Sequence, residues 1–323
     1  MNSAKNQSET NVQQRQVQHG MTLIEMMVAM AISSVLLLGS FNIYTQTRSS
    51  YRTTESVAHL QENVRFAADT LASDIQLTQF WGQTNVPKIF NRIGDLSIVC
   101  DGVDVTEWAL KVNKSIEASD DSYDLDCPGS DPRDNSDVLV IRHASPEPAA
   151  DPLSGYTQIQ TNVKGAVIFA SDSQPGAHNE KSTIHDVIVN AYYISNQSKY
   201  DASLPALRRR SLVGDVMQDQ EIIPGVENMQ VQFGIDTPDD GDINGYVDSD
   251  DPIINDPDVQ IRSVRLWLLV RSEMTERGQG YQDTKTYVTP DADLADINPT
   301  TNADYPAEFR RRTITKTIYL RNI

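Results

Sequence analysis

The chain has 323 residues, 39% of them hydrophobic and 22% charged, which is enough for one large folded unit or two small ones. Its formal net charge of -18 disfavours binding to nucleic acid or anionic lipid headgroups, unless a local basic patch intervenes. The sequence has no Gly-rich phosphate loop, no Gly-x-Ser-x-Gly nucleophile elbow and no histidine pair at metal spacing, so it does not indicate an enzyme.

The amino terminus combines a polar leader, residues 1–20, with an apolar segment, residues 21–44. From Met21 to Phe41 only Thr22 and Glu25 are neither apolar nor small. Such a segment of about 20 residues can cross a bilayer as one helix. The basic residues Lys5 and Arg15 precede it, which predicts a leader on the cytoplasmic side.

The junction Gly20-Met-Thr-Leu-Ile-Glu25, followed by the retained apolar segment, resembles the class III signal of type IV prepilins and type II secretion pseudopilins. The resemblance implies that a prepilin peptidase cuts after Gly20 and methylates the new amino terminus at Met21, where many relatives have phenylalanine. It also implies that Glu25 pairs with the terminal amine of a neighbouring subunit during assembly. The residue alone equally allows Glu25 to snorkel to the interface and to favour the helix dipole.

A helical pattern continues after the anchor, through residues 45–80. Val57, Leu60, Val64, Ala67, Leu71 and Ile75 recur at three- and four-residue spacing, which predicts an amphipathic helix. One near-continuous helix is therefore expected from Met21 to about residue 80. Gly39 is either a soft point in it or a site of close packing between membrane helices.

Residues 81–323 change to short β-like runs separated by turns, typical of a mostly antiparallel sheet. The sequence predicts loops rich in Asp, Pro, Gly and Asn at 117–137, 145–152, 171–186, 236–258 and 273–308, all of them at the surface. Strands are predicted at 108–112, 138–144, 156–162, 167–170, 187–195, 207–213, 229–235, 261–272 and 312–321.

Three stretches resemble minor pilins of the PilW type: Leu60-Gln-Glu-Asn-Val-Arg-Phe-Ala-Ala-Asp69, Ile223-Pro-Gly-Val through Asp236, and Ser263-Val-Arg-Leu-Trp through Ser272. The resemblance implies an α+β pilin fold, with a long helix on a mostly antiparallel β-sheet head. It also implies a non-enzymatic subunit that helps to initiate type IV pili. Its partners would be other minor and major pilins, prepilin peptidase, the inner membrane and a tip adhesin.

The alternatives are a J-type pseudopilin of type II secretion and a membrane-anchored, calcium-dependent adhesin. Under the pilin interpretation, the head lies first in the periplasm and then in the pilus at the cell surface.

Two cysteines, Cys100 and Cys127, lie beyond the anchor. Outside the cytoplasm they predict one disulfide, and two free thiols are the alternative. Zinc is not indicated, because no histidine or further cysteine lies near either of them.

The acidic stretch at residues 240–251 fits the template of a calcium-binding loop, with Gly245 at the sharp turn. The alternative is a solvated hairpin loop rich in aspartate. A second acidic group, Asp120, Asp121, Asp124 and Asp126, lacks this pattern and is interpreted as solvated. The predicted calcium ligands are Asp240, Asp242, Asn244, the Tyr246 carbonyl, Asp248 and Asp251, the last in place of the usual glutamate.

Two basic triplets, Arg208-Arg209-Arg210 and Arg310-Arg311-Arg312, occur on this acidic chain. They are expected to pair with acidic loops or to form a subunit contact. They do not make a broad basic face, so nucleic acid is not an expected partner.

Overall fold

The computed structural model describes residues 20–84, 90–170, 173, 175, 181–237, 240–256, 258–275 and 280–322. The predicted leader, apart from Gly20, and half of the predicted loop at 171–186 lie outside the described residues. The chain divides into two compact units, one ending at Thr53 and the other comprising Thr54–Ile323. The two are taken in turn.

The first unit consists of the amino-terminal part of helix α1, which spans Leu23–Ile75. Its apolar side chains are exposed, as Leu23 at 79% and Leu37 at 71% illustrate. Gly39 lies inside uninterrupted helix, so the predicted soft point does not interrupt it here. Among the described residues, α1 is one helix long and apolar enough to cross a membrane.

In the second unit, the rest of α1 buries one face. Leu60, Val64, Ala67, Leu71 and Ile75 are buried, which confirms the predicted stripe, whereas Val57 is only half-buried. The helix ends at Ile75, about five residues before the expected end, and the backbone then turns through Gln79 at a φ of 65°.

The strands of the second unit form two sheets. Their bounds are β1 Phe90–Ile93, β2 Val99–Cys100, β3 Val103–Asp104, β4 Ile116–Ser119, β5 Val138–Ala144, β6 Thr157–Asn162, β7 Gly165–Ala170, β8 Thr183–Ser195, β9 Ala206–Val213, β10 Val216–Pro224, β11 Val226–Asp236, β12 Gly245–Asp248, β13 Gln260–Arg271 and β14 Arg311–Tyr319. Helix α2, Thr106–Ala109, and a 3-10 turn, Pro252–Asn255, complete the elements.

The first sheet contains ten strands in the order β1-β7-β6-β8-β9-β10-β2-β3, with β5 paired to β8 and β4 to β5. The second has the order β12-β11-β13-β14 and is antiparallel throughout. Only the pairs β1 with β7 and β10 with β2 are parallel among the described strands. The predicted α+β fold with a mostly antiparallel sheet is thereby confirmed.

Three apolar clusters hold this unit together. The first lies between the buried face of α1, one face of the first sheet and one face of the second. The second lies on the opposite face of the first sheet and includes Trp81, Trp108 and both cysteines. Both faces of the first sheet are therefore shielded from water. On β5, for example, Leu139 belongs to the first cluster and the next residue, Val140, belongs to the second.

The third cluster corrects the prediction that residues 273–308 form a surface loop. Tyr287, Ile297 and Tyr305 of this segment are buried against Trp267 and Leu269 of β13. Val264, Leu266, Leu268 and Val270 recur at every second position of β13, which predicts one buried face. The segment that carries Tyr287, Ile297 and Tyr305 buries the other face of this strand as well. Bulky apolar side chains on that face are kept from water only because a distant segment folds over them.

The predicted strand at 108–112 is wrong, since these residues begin inside helix α2. The Asp104 carboxylate accepts a hydrogen bond from Thr106 N at 2.9 Å, a local turn that favours the helix start. A five-residue apolar run does not distinguish a strand from a buried helical turn. The strands that the prediction missed are β1, β2, β3, β4, β10 and β12.

The chain passes from the first sheet to the second at Pro224 and Gly225, between β10 and β11. Gly225 has a φ of 88°, and a Cβ there would lie 2.7 Å from the Arg271 carbonyl oxygen. Its backbone also accepts from Arg271 N at 2.7 Å. The positive φ and the close approach of the Arg271 carbonyl both require a glycine here. This gives a physical reason for the glycine of the Ile223-Pro-Gly-Val stretch.

A buried carboxylate fixes the end of α1 to the first sheet. Asp74 accepts hydrogen bonds from His143 at 2.9 Å and from Asn190 at 3.0 Å. Burial alone would raise the pKa of Asp74, but these hydrogen bonds outweigh it and the pKa lies below its usual value. His143 lies on β5, as expected for a strand residue.

This pairing predicts an acid dependence of stability. Because the pKa of Asp74 is lower in the folded chain, its ionised form stabilises the fold above about pH 4, and the contribution is lost as pH falls through the folded-state pKa. The free energy of unfolding of the wild type should therefore fall more steeply below about pH 4 than that of Asp74→Asn. Urea unfolding followed by tryptophan fluorescence measures both slopes. Glu62→Gln, which removes an exposed carboxyl from the same helix, should keep the wild-type slope.

Candidate functional site

The first turn of α1 carries the residues predicted for processing and assembly. Gly20 and Met21 are exposed directly before the helix. The Glu25 Oε2 atom accepts from Thr22 N at 2.8 Å and from Thr22 Oγ1 at 2.9 Å. In return, Glu25 N donates to Thr22 Oγ1 at 3.3 Å.

This reciprocal pattern is a capping box, in which each side chain satisfies a backbone donor at the helix start. The sequence signal that could have predicted it is the spacing Thr-x-x-Glu, from Thr22 to Glu25. Both side-chain hydrogen bonds reach Oε2, and the described residues provide no partner for Oε1. Glu25 thus has a local role and one oxygen left for a further contact.

The predicted disulfide is present. Cys100 on β2 and Cys127 in the segment after β4 are bonded, with their Cα atoms 5.4 Å apart, and both are fully buried. It links the short β2–β3 hairpin to the segment between β4 and β5, both of which contribute to the second apolar cluster.

Four of the side chains predicted to bind calcium, those of Asp240, Asn244, Asp248 and Asp251, accept hydrogen bonds within the protein. Asp240 accepts from Asp242 N at 3.0 Å, and Asn244 Oδ1 accepts from Thr237 N at 2.8 Å. Residues 245–248, predicted as loop, form strand β12 on the edge of the second sheet, where Asp248 accepts from Gln232 at 2.8 Å. Tyr246 lies under the Arg265 guanidinium, and Asp251 accepts from Ile253 N at 2.9 Å at the start of the 3-10 turn. Calcium binding by this loop stays a prediction.

The second acidic group differs from its prediction. Asp124 and Asp126 are exposed, as expected, but Asp120 and Asp121 are half-buried. Together with the buried Asp291, they place one carboxylate oxygen each within 4.8 Å of one another. No local sequence pattern could predict this group, because Asp291 lies about 170 positions further along the chain.

The electrostatics of this group follow from crowding. Partial burial, with the negative charges of Asp291, Asp250 and Asp121, raises the pKa of Asp120 to about 6, against the opposing hydrogen bond from Ser249. Burial and the charge of Asp291 also raise the pKa of Asp121. Within the described parts of the chain, no lysine or arginine forms an ion pair with any of the three carboxylates.

The first basic triplet pairs with polar residues of its own sheet. Arg208, Arg209 and Arg210 lie on β9 opposite Glu221, Gln220 and Asp219 of β10. Arg208 forms ion pairs with Asp219 and Glu221, and Arg210 donates to Asp101 at 2.6 Å. The complementary run of polar and acidic residues was the signal that could have identified β10.

The second triplet contains the centre of a buried ionic network. Arg311 donates to both oxygens of Glu227, at 2.5 and 3.0 Å, and lies 3.3 Å from Asp283. All three side chains are fully buried. Arg310 lies over the Tyr281 ring, and Arg312 is exposed. The network ties β11 and β14 to the segment that covers the second sheet.

Comparison with known proteins gives two family matches. Residues 15–41 match the prokaryotic N-terminal methylation motif, and residues 191–322 match the family described as type IV pilus-assembly protein W. The second match runs from β8 to the end of β14, so it includes the whole second sheet and the Pro-Gly crossing into it.

Two relatives come from Thermus thermophilus. The pilin-like protein PilA3 is 30% identical over 77 residues, which are 23% of this chain and 33% of that protein. The chain thus matches about a third of the length of this relative. The type IV-like pilin TTHA1219 superposes with a TM-score of 0.33 at 14% identity, over 81% of this chain and 97% of that one.

The chain thus combines a methylation motif on an exposed apolar helix with a mostly antiparallel β-sheet unit, the features of a type IV pilin-like protein. Its carboxyl-terminal part, residues 191–322, is similar to type IV pilus-assembly protein W. The motif and the apolar helix indicate anchoring in a membrane.

Proposed function

We propose that this chain is a minor pilin, a structural subunit with no enzymatic activity that takes part in the assembly of type IV pili. The observation that carries the proposal is an exposed apolar helix with a glutamate in its first turn, in a chain whose other part is of the PilW type. The methylation motif at residues 15–41 supports it.

Processing would precede assembly. A prepilin peptidase would cut between Gly20 and Met21 and methylate the new terminal amine. Residues 21–44 would then hold the subunit in the inner membrane, with the leader on the cytoplasmic side and the head in the periplasm. The positions of Lys5 and Arg15 before the span support this orientation.

The exposed apolar helix gives the physical reason for assembly. Its apolar side chains are stable only in lipid or against other apolar helices. A carboxylate inside hydrocarbon costs at least about 2.5 kcal/mol, which favours a partner of opposite charge. The free Oε1 of Glu25 would accept from the terminal amine of a neighbouring pilin and thereby set the axial position of each subunit. Other minor and major pilins are therefore the proposed partners.

The Glu25→Gln variant separates the two roles of this residue. Glutamine can preserve the capping box, since it also accepts from the backbone at this position, but it removes the charge. We expect the variant to insert into the membrane and to be cleaved like the wild type, yet to be absent from sheared pili. The measurement is immunoblotting of membrane and sheared-pilus fractions, with pili counted by electron microscopy.

Glu62→Gln is the matched control, since it removes an exposed charge from the same helix and should leave incorporation unchanged. Normal incorporation of Glu25→Gln would reduce Glu25 to a helix cap and contradict the assembly mechanism. Mass spectrometry of the mature chain should show a methylated Met21. Retention of residues before Met21, or purification with secretion components instead of pili, would contradict the proposed function.

A further inference from the structure

Asp120, Asp121 and Asp291 come together beside the middle of β11. Asp120 and Asp121 directly follow β4, whereas Asp291 belongs to the segment between β13 and β14. Their closest carboxylate oxygens all lie within 4.8 Å of one another. Three like charges at this distance repel each other strongly in a partly dry site, so something must offset them when all are ionised.

The Asp291 carboxylate supplies a second, independent observation. Asp291 is 6% exposed, its Oδ1 accepts from Asp293 N at 2.7 Å, and its buried Oδ2 has no hydrogen-bond partner. A buried carboxylate oxygen without a donor is costly, and the great majority of such atoms in folded proteins are paired. A cation can supply the missing partner, because the nearest groups are themselves carboxylates, which offer no hydrogen-bond donor while they are ionised.

The arrangement is held in place by the surrounding protein. Asp137 Oδ1 accepts from Asp121 N at 3.0 Å, and its Oδ2 accepts from Val231 N of β11 at 2.7 Å. On the other side, Gln232 of β11 donates to the Pro290 carbonyl at 3.1 Å, which fixes the residue before Asp291. β11 therefore positions both acidic segments before any ligand binds.

We infer that Asp120, Asp121 and Asp291 bind one divalent metal ion of the oxygen-preferring class, with Ca²⁺ as the ligand to test. Oxygens that coordinate the same Ca²⁺ at about 2.3–2.6 Å from it lie at most about 5 Å apart, which agrees with the separation of these three. Ser249 Oγ, 3.0 Å from Asp120 Oδ1, adds a neutral oxygen at the same place. None of its three carboxylates is among the calcium ligands predicted from the sequence in the loop at 240–251, and the site does not depend on the proposed function.

The ion would join three separate parts of the second unit: the segment after β4, the segment after β12 and the cover of the second sheet. Calcium should therefore stabilise the head against unfolding, because its ligands come from segments that are far apart along the chain. With three carboxylates and no flexible helix pair, we expect a dissociation constant of roughly 0.1–1 mM, the range of extracellular modules.

The test is thermal unfolding of the full-length protein in detergent, followed by intrinsic tryptophan fluorescence. EDTA is removed first and CaCl₂ is then titrated. Calcium should raise the midpoint temperature of the wild type. Asp291→Asn keeps the acceptor for Asp293 N but removes the charge, and it should raise the calcium concentration needed by about tenfold or more.

Three further variants make the result specific. Asp120→Asn, which preserves the acceptor for Ser249, should weaken the response to calcium in the same way. If Asp291→Asn does not fold, Asp120→Asn provides the test of the site. Asp293→Asn removes an exposed charge two residues from Asp291 and should respond like the wild type. The pair Asp240→Ala and Asp242→Ala should also respond like the wild type. A wild type that does not respond, unchanged responses in both site variants, or loss only in the loop pair would overturn the inference.

Discussion

Replacing Arg311 with methionine is expected to lower the free energy of unfolding by about 3–5 kcal/mol. Arg311 donates to both carboxylate oxygens of Glu227 and lies 3.3 Å from Asp283, and no water reaches any of the three. Methionine fills much of the same space but leaves the buried Asp283 carboxylate without its cation, and leaves Glu227 with only Arg271, 3.5 Å away. A buried charge that has lost its partner costs far more than the pair contributed.

Urea unfolding of the full-length protein in detergent, followed by tryptophan fluorescence, measures this loss. All three tryptophans, Trp81, Trp108 and Trp267, are buried in the second unit, so the signal reports its unfolding. Arg312→Met changes the adjacent, exposed arginine and should alter the free energy by no more than about 0.5 kcal/mol.

The double variant Glu227→Gln with Arg311→Met should be less destabilised than the sum of the two single variants, since it removes both charges of the main pair. Equal effects of Arg311→Met and Arg312→Met, or strict additivity in the double variant, would contradict the importance of the network.

Removal of the disulfide is expected to have the second large effect. Cys100 and Cys127 are 27 positions apart, so their bond restricts a loop of the unfolded chain, and the chain-entropy model gives a contribution of about 3–4 kcal/mol. The variant Cys100→Ala with Cys127→Ala should lose this amount in equilibrium unfolding by urea.

The reducing agent supplies the matched control. Added during unfolding, it should lower the stability of the wild type to near that of the double variant and should leave the variant unchanged. Since both thiols would be buried in the second apolar cluster, alanine preserves a small apolar side chain there. A wild type whose stability does not change on reduction would show that this link contributes little.

Local patterns predicted several elements with accurate bounds. β5 begins and ends at the predicted residues 138 and 144, because its apolar residues 138–141 follow the turn-forming residues 135–137 and Ser145-Pro146 follow its end. The stripe from Leu60 to Ile75 predicted which face of α1 is buried. The same patterns missed β10, whose middle part, residues 219–221, is polar because it pairs with the arginines on β9.

Some residues of the candidate sites could likewise be predicted from local patterns, and others could not. Gly20, Met21 and Glu25 are close in sequence, so a short motif that resembles the class III prepilin signal was enough to predict their roles. The convergence of Asp120, Asp121 and Asp291 depends on which segments β11 holds next to each other. No pattern over a window of 10 or 20 residues carries that information.

The anchor, the amphipathic helix, the antiparallel head and the cysteine pair could be predicted from the sequence, because each depends on the period or the composition of a short segment. Three features could be seen only in the folded chain: the segment with Tyr287 and Ile297 covers the second sheet, Arg311 is buried between two acids, and Asp291 lies beside Asp120 and Asp121. The physical reason is that burial and ionic pairing are properties of neighbours in space, and those neighbours are fixed only when the two sheets and α1 close around a common core.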